Sequence, residues 1–340
     1  MKNNFKKDSF NILIIVFFVL FLTLPFVNKA FNIDDTEFVY IARHLTKDPL
    51  HPYSFEWLPS VPATHVTDPP LVFYYNAAVI LLFGETEMVL HFFNIIFPLI
   101  AGVAMYYISK KFTKRPLFSS LFLITSVVFV VMSNTLMLDV PFLAFFLLSV
   151  AIFVYGTDSN NKLMIILGAV FCGLAYLIKY TGIIIFPVLA LYTILRKKPR
   201  YMLYLIIPAG LGLIWNLYTY LIYGVPHNFQ ILPWLLGSQN ALSLQTIMAK
   251  LITTMTYIGG ATIFPLMLLY PFLRERINKL AYLLIVAFSV VIAIALYYIS
   301  ANFSYRYNTI QSILFAFFLS TGIFVFYVIT RYNFSIIVKL

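Results

Sequence analysis

The chain has 340 residues, 62% of them hydrophobic and only 10% charged, with a mean hydropathy of +0.92. A soluble domain of this length needs far less apolar surface to fill its core, so composition excludes that class and indicates a polytopic membrane protein. The net charge of +11 does not point to nucleic acid, because Lys and Arg fall in short clusters between apolar runs and form no aromatic-interleaved basic face.

Taken in chain order, runs long enough to span a bilayer occupy residues 10–31, 88–109, 116–133, 140–156, 162–178, 182–195, 201–223, 249–272, 280–300 and 308–330, about ten helices in all. The runs 162–178 and 182–195 fall short of the ~20-residue norm and are expected to tilt or pair at the interface. Lys2, Lys6 and Lys7 flank the first run and no small-residue cleavage site follows it, so it reads as a retained helix. With the N-terminus in the cytoplasm, the basic clusters at 110–115, 196–200 and 274–279 also lie inside, together with Lys162, Arg331 and Lys339. Both termini are then cytoplasmic. Residues 71–83 are the ambiguous stretch, since a model with that extra span and an external N-terminus satisfies the charge bias equally well. Their length decides it: thirteen residues between Pro70 and Gly84 make a helix of roughly 20 Å, too short for a ~30 Å hydrocarbon core. The expectation is a single all-α integral membrane domain over 1–340, multi-pass in the cell (plasma) membrane, with no soluble C-terminal domain. Cys172, the single cysteine, lies in an apolar run, which excludes an internal disulfide, a thiolate zinc site and a redox pair.

This topology places most acidic residues, and all five histidines, on the outer face. Residues 32–87 form the long first external loop. Phe38, Ile41, Ala42 and Leu45 recur at i, i+3, i+4 and i+7, the stripe of a helix lying on the membrane, with Tyr40, Arg43, His44 and Lys47 largely on its polar side. A Pro-rich structureless stretch, 49–70, carries Trp57, His65 and Asp68; Asp68-Pro69-Pro70-Leu71 then opens a second interfacial helix, with Pro70 suited to its first turn. Two such helices could roof a lateral groove. At the start of the loop stand Asp34 and Asp35. Paired acids at a membrane surface suit a general base acting on a lipid-linked substrate, but Asp34 followed three residues later by Glu37 also has the form of a helix N-cap and capping box.

Further polar residues lie where a bilayer makes them costly, or at its edge. Asp139 interrupts a long apolar tract, where a buried acid costs roughly 2.5 to 3.5 kcal/mol; the alternative is that it marks a turn between helices. Lys179 sits at an outer junction of two short helices, where snorkelling alone would explain it. Arg306, in Tyr305-Arg306-Tyr307, starts the last helix externally, against the charge bias, and suits anion binding. His44, His51, His65, His91 and His227 lack metal-ligand spacing and read as loop or interfacial residues. There is no Gly-rich phosphate loop and no Gly-x-Ser-x-Gly elbow, which argues against a nucleotide-driven pump and a serine hydrolase.

The acidic pair Asp34-Asp35 after the first span, Ile41-Ala42-Arg43-His44-Leu45, Asp68-Pro69-Pro70-Leu71-Val72-Phe73-Tyr74-Tyr75, Leu138-Asp139-Val140-Pro141 and Gly173-Leu174-Ala175-Tyr176-Leu177-Ile178-Lys179-Tyr180 come in an order that resembles a known family. It is the polyprenyl-phosphate-sugar glycosyltransferases of the protein O-mannosyltransferase and lipid A aminoarabinose transferase type, with the GT-C fold. The resemblance runs over about residues 10–200, with Arg306-Tyr307 as a further echo. It implies sugar transfer from a polyprenyl (dolichyl or undecaprenyl) phosphate to a hydroxyl of a protein, lipid or glycan acceptor at the outer face. The first acid of the pair acts as base in that family, which carries over to Asp34, with Asp35 standing where a Glu is more usual. Arg43, His65, Asp68, Asp139, Lys179, Arg306 and Tyr307 are the expected substrate-binding residues, although Asp68 stands where His or Lys is common. No cofactor is certain; the reading leaves room for a divalent cation, which no ligand spacing supports. The rival from another class is a membrane transporter or lipid flippase, which predicts internal repeats and broken helices around a midplane site; ionisable residues gathered at one face favour the enzyme. A third reading is a catalytically silent membrane subunit that binds a partner.

Overall fold

The computed structural model describes residues 2–59, 61–63, 68–229, 251–256 and 258–260. The expected spans at 280–300 and 308–330, and most of 249–272, lie outside these residues, as do His65, Arg306 and Tyr307. Among the described residues, four helical stretches are long and apolar enough to cross a membrane: Lys6–Phe26, Glu87–Phe112, Asp139–Ser159 and Pro199–Tyr223, with a fifth if a bent pair counts as one span.

The helices are α1 (Lys2–Thr23), α2 (Ile33–Leu45), α3 (Leu71–Phe83), α4 (Glu87–Asn94), α5 (Ile96–Phe112), α6 (Pro116–Ile124), α7 (Val127–Ser133), α8 (Asp139–Ser159), α9 (Lys162–Tyr176), α10 (Ile185–Leu195) and α11 (Ile206–Tyr223), with 3-10 turns at Leu24–Phe26, Tyr180–Ile184 and Pro199–Leu205. The run 116–133, read from sequence as one span, is broken into α6 and α7. Ser126 supplies the physical reason: its Oγ accepts the Phe129 N–H at 3.3 Å, the capping contact that starts a new helix. The stretch 49–70 is likewise not structureless. Residues Glu56–Leu58 (β1) and Val61–Pro62 (β2) pair antiparallel, and Ala63 N–H bonds the Phe55 carbonyl at 2.8 Å. A loop pressed against protein must satisfy its backbone groups, and a short ladder does so.

The predicted stripe of α2, Phe38, Ile41, Ala42 and Leu45, is buried, Val39 is buried beside it, and Tyr40 and Arg43 are exposed. What covers it differs from the expectation. The stripe packs into a protein core with Tyr53, Phe73, Leu136, Leu138, Ile178 and Trp215 rather than against lipid, and the Phe38 and Phe73 rings approach to 5.2 Å. Helix α3 has the expected thirteen residues and ends at Gly84, whose φ of +91° suits glycine at the turn into α4. Asn94 Nδ2 donates to Asn76 Oδ1 at 2.9 Å and Tyr75 O–H to the Phe93 carbonyl at 2.7 Å, so α3 and α4 form a pinned hairpin.

Helices α8 and α9 form the scaffold beneath the site. Asn160, left-handed at φ 55°, ends α8, and Asn161 caps α9 by accepting the Met164 N–H at 3.2 Å. At Gly168 a Cβ would lie 2.7 Å from the Phe153 backbone nitrogen, so only glycine permits this backbone approach, and Ser149 O–H bonds the Gly168 carbonyl at 2.8 Å. This contact fixes the register of the two helices and therefore of Asp139 and Lys179 at their shared end.

Candidate active site

The acidic pair is split by the way α2 begins. Asn32 is the N-cap, with extended backbone, and Asp35, at the third helical position, accepts the Asn32 N–H at 2.9 Å to close a capping box. Its other oxygen accepts the Leu136 N–H, also at 2.9 Å, and the side chain is fully buried. The cap is therefore Asn32 with Asp35, not Asp34 with Glu37. Asn caps as well as Asp, so the helix starts two residues earlier than expected. Asp34 is left exposed, and no hydrogen bond engages its carboxyl among the described residues.

His91, read from sequence as loop or interfacial, is buried in α4. Its Nε2 lies 4.0 Å from Asp35 Oδ2 and its ring 5.6 Å from that of Phe31. It closes the back of the acidic corner rather than facing solvent.

Glu37, one turn after Asp34 and on the same side of α2, is half-buried. Burial holds its carboxyl above the ordinary value, and the negative charges of Asp34 and Asp68 push it further in the same direction. Asp68 is more deeply enclosed. Burial raises it to about 6, Lys179 pulls it down, and Asp139 adds to the rise. Lys179 Nζ in turn donates to Asp139 Oδ1 at 2.9 Å. Asp34, Glu37, Asp68, Asp139 and Lys179 thus form one electrostatically linked chain of charges, with carboxyls outnumbering the cation. The Leu71 N–H bonds the Leu177 carbonyl at 3.2 Å, which ties the Asp68 segment to the Lys179 segment through the backbone.

Asp139 does not sit deep in an apolar tract. It is the first residue of α8, with a side chain 46% exposed, where a carboxylate also meets the positive end of the helix dipole. Sequence reasoning placed Asp68, Asp139 and Lys179 in the site, and the fold brings them together. It assigned Glu37 only to a cap; the signal available was its i, i+3 spacing from Asp34. Arg43 lies half a turn round α2 from Asp34, where it pairs bidentately with Glu85 (Nε to Oε2 2.9 Å, Nη2 to Oε1) and stacks on Tyr40 at 5.0 Å. No group of His, Cys, Asp and Glu set to hold a metal ion occurs among the described residues.

Residues 67–223, which carry Asp68, Asp139 and Lys179 but not the acidic pair, match the model of the family described as dolichyl-phosphate-mannose-protein mannosyltransferase. No curated protein and no solved structure matches the chain. The order of motifs, the membrane-spanning helices and this match agree: over residues 67–223 the chain is similar to that GT-C family of multi-pass membrane glycosyltransferases, which take their sugar from a polyprenyl-phosphate donor.

Proposed function

We propose that the chain transfers a sugar from a polyprenyl (dolichyl or undecaprenyl) phosphate to an acceptor hydroxyl at the outer face of the cell membrane, with Asp34 as general base. The observation that carries this reading is the division of labour in the acidic pair. Asp35 is consumed by two backbone N–H groups, whereas Asp34 stands exposed beside Glu37, with no hydrogen bond to its carboxyl among the described residues, and within the field of the Asp68, Asp139 and Lys179 cluster.

In the reaction, the acceptor hydroxyl gives its proton to Asp34 as its oxygen attacks the anomeric carbon. The bond from that carbon to the phosphate oxygen breaks, and the polyprenyl phosphate leaves with the bonding pair. Lys179, held by Asp139, stabilises the charge that develops on the leaving phosphate, and Arg306 with Tyr307 is assigned the same task from the C-terminal part of the chain. Asp68 and His65 are assigned to substrate binding. Arg43, opposite Asp34 and already engaged by Glu85, braces the entry of α2 into the loop. The outer-face assignment rests on Lys110, Lys111, Lys114, Arg115, Lys162 and the 196–200 cluster, which lie towards the other ends of the helices from Asp139; both termini are then cytoplasmic.

The test is label transfer. Purified full chain in vesicles, given a polyprenyl phosphate radiolabelled in its sugar, should move label from the lipid to an acceptor. Intact labelled lipid crossing between leaflets without cleavage would replace this reading by a flippase.

A further inference from the structure

Tyr53, Tyr180, Trp215 and His227 come from four separate segments and converge behind Asp68. Tyr53 is buried, and its O–H donates to the Asp68 main-chain carbonyl at 2.7 Å. Its ring lies flat on that of fully buried His227, with centroids 4.5 Å apart and planes 5° from parallel. His227 Nδ1 is 2.7 Å from the Tyr180 hydroxyl, and Trp215 Nε1–H donates to the same hydroxyl at 2.8 Å. The Trp215 bond occupies one acceptor site on the Tyr180 oxygen, and the direction of the bond between that hydroxyl and His227 Nδ1 follows the tautomer of the ring. The His227 backbone N–H is fixed by Thr219 Oγ1 at 3.0 Å, which anchors the assembly to α11.

The geometry has a direct mechanical reading. Tyr180 follows Lys179 in sequence, while Tyr53 grips the backbone of Asp68. A rigid path of ring stack and hydrogen bonds therefore runs from Lys179 to Asp68, parallel to the backbone tie between Leu71 and Leu177. We infer that Tyr53, His227 and Tyr180 form a positioning brace that holds the Asp68 carboxyl inside the site, opposite Lys179. None of them need touch substrate. The inference adds positioning residues to the proposed transferase site and rests on that reading for its catalytic consequence, but not for its structural one.

The groups facing Asp68 are Glu37 from α2, Asp139 from α8, Lys179 before Tyr180, and the phenols of Tyr53 and Tyr180. Burial is the largest cause of the elevated affinity of Asp68 for its proton, and Lys179 acts against it. Loosening the brace admits water, so the larger effect is removed and the carboxyl titrates lower.

Infrared titration of the full chain without substrate reads this directly. A carboxyl band ionising near pH 6 should be absent in Asp68→Asn. In Tyr53→Phe, which keeps the ring on His227 and deletes only the O–H, the band should shift down by about one pH unit, and in His227→Ala by at least as much. His227→Asn, which restores a polar atom near the Nδ1 position, should recover part of the shift. Turnover should fall about tenfold in Tyr53→Phe with melting temperature nearly unchanged. An Asp68 band in Tyr53→Phe at the wild-type position would overturn the brace. Because the titration needs no transfer, a wild-type chain without transferase activity would instead count against the proposed function.

Discussion

The two ends of α8 carry acids of the same kind in opposite circumstances. Asp158, in the last turn, is saturated: Lys111 Nζ lies at 2.7 Å, the Tyr192 O–H donates at 2.8 Å, and Arg196 Nε is at 3.1 Å. Lys198 Nζ also donates to the Thr157 carbonyl at 2.6 Å, placing a further cation on the negative end of the helix. At the first turn, Asp139 shares Lys179 with Asp68, and Glu37 and Asp34 extend the negative field with no second cation among the described residues of that cluster. A saturated acid holds a fold together and has no capacity left for chemistry. An under-compensated cluster stores the capacity to bind a cationic or hydroxyl-bearing ligand and to take up protons.

The largest expected effect breaks this comparison at its most active point. Asp34→Asn should lower sugar transfer by a factor on the order of 100 or more. Its melting temperature should stay near wild type, because the cap is made by Asn32 and Asp35. Initial-rate transfer assays and a melting curve on the same preparation check both halves; near-normal turnover would remove Asp34 as base.

A paired substitution sharpens the contrast. Asp139→Asn should depress turnover and donor affinity about tenfold by releasing Lys179. Asp158→Asn should leave both within about twofold and lower the melting temperature instead, since it strands Lys111 and Arg196. Equal effects on turnover would mean that the two ends do not differ in function.

The smallest effect concerns stability against pH. Asp68 binds its proton more tightly in the folded chain, at about 6 against an ordinary 3.8, so its contribution to stability is fully present below about pH 3.8 and is lost as pH rises through about 6. The difference is on the order of 3 kcal/mol for a group this enclosed. Asp68→Asn should therefore melt higher than wild type above pH 6, and the difference should close as pH falls towards 4. Parallel melting curves across that range would refute the assignment. Glu37, shifted in the same direction, persists in both proteins.

Much of this was legible from sequence because it depends on local pattern. Apolar length gave α1, α8 and α11, the thirteen-residue limit marked α3 as a shorter helix, isolated charges marked Asp139 and Lys179, and the Asp68-Pro69-Pro70 segment marked Asp68. The assignment of the acidic pair was not legible, because Asn32 and Asp34 cap equally well and the partner that decides between them, the Leu136 amide, is remote in the chain. The partner of the α2 stripe was hidden for the same reason: periodicity shows that a face is buried but not by what. The β1–β2 ladder left no periodic signal in so short a Pro-rich stretch. His227 read as a loop or interfacial residue and Tyr53 carried no signal, because their roles come from stacking on each other across the fold.

The bond from Asp35 to Leu136 also sets an order of events in synthesis. The two residues are separated by 101 positions, which a ribosome covers in about 5 to 20 s. Through that interval Asp35 can close the local capping box on Asn32, but its second oxygen has no amide to meet until the segment leading into α8 has been made. The acidic corner of the site is therefore assembled late, after α3 to α7 have been placed. Until that amide arrives, water must serve the second oxygen, and it is displaced only when the corner closes.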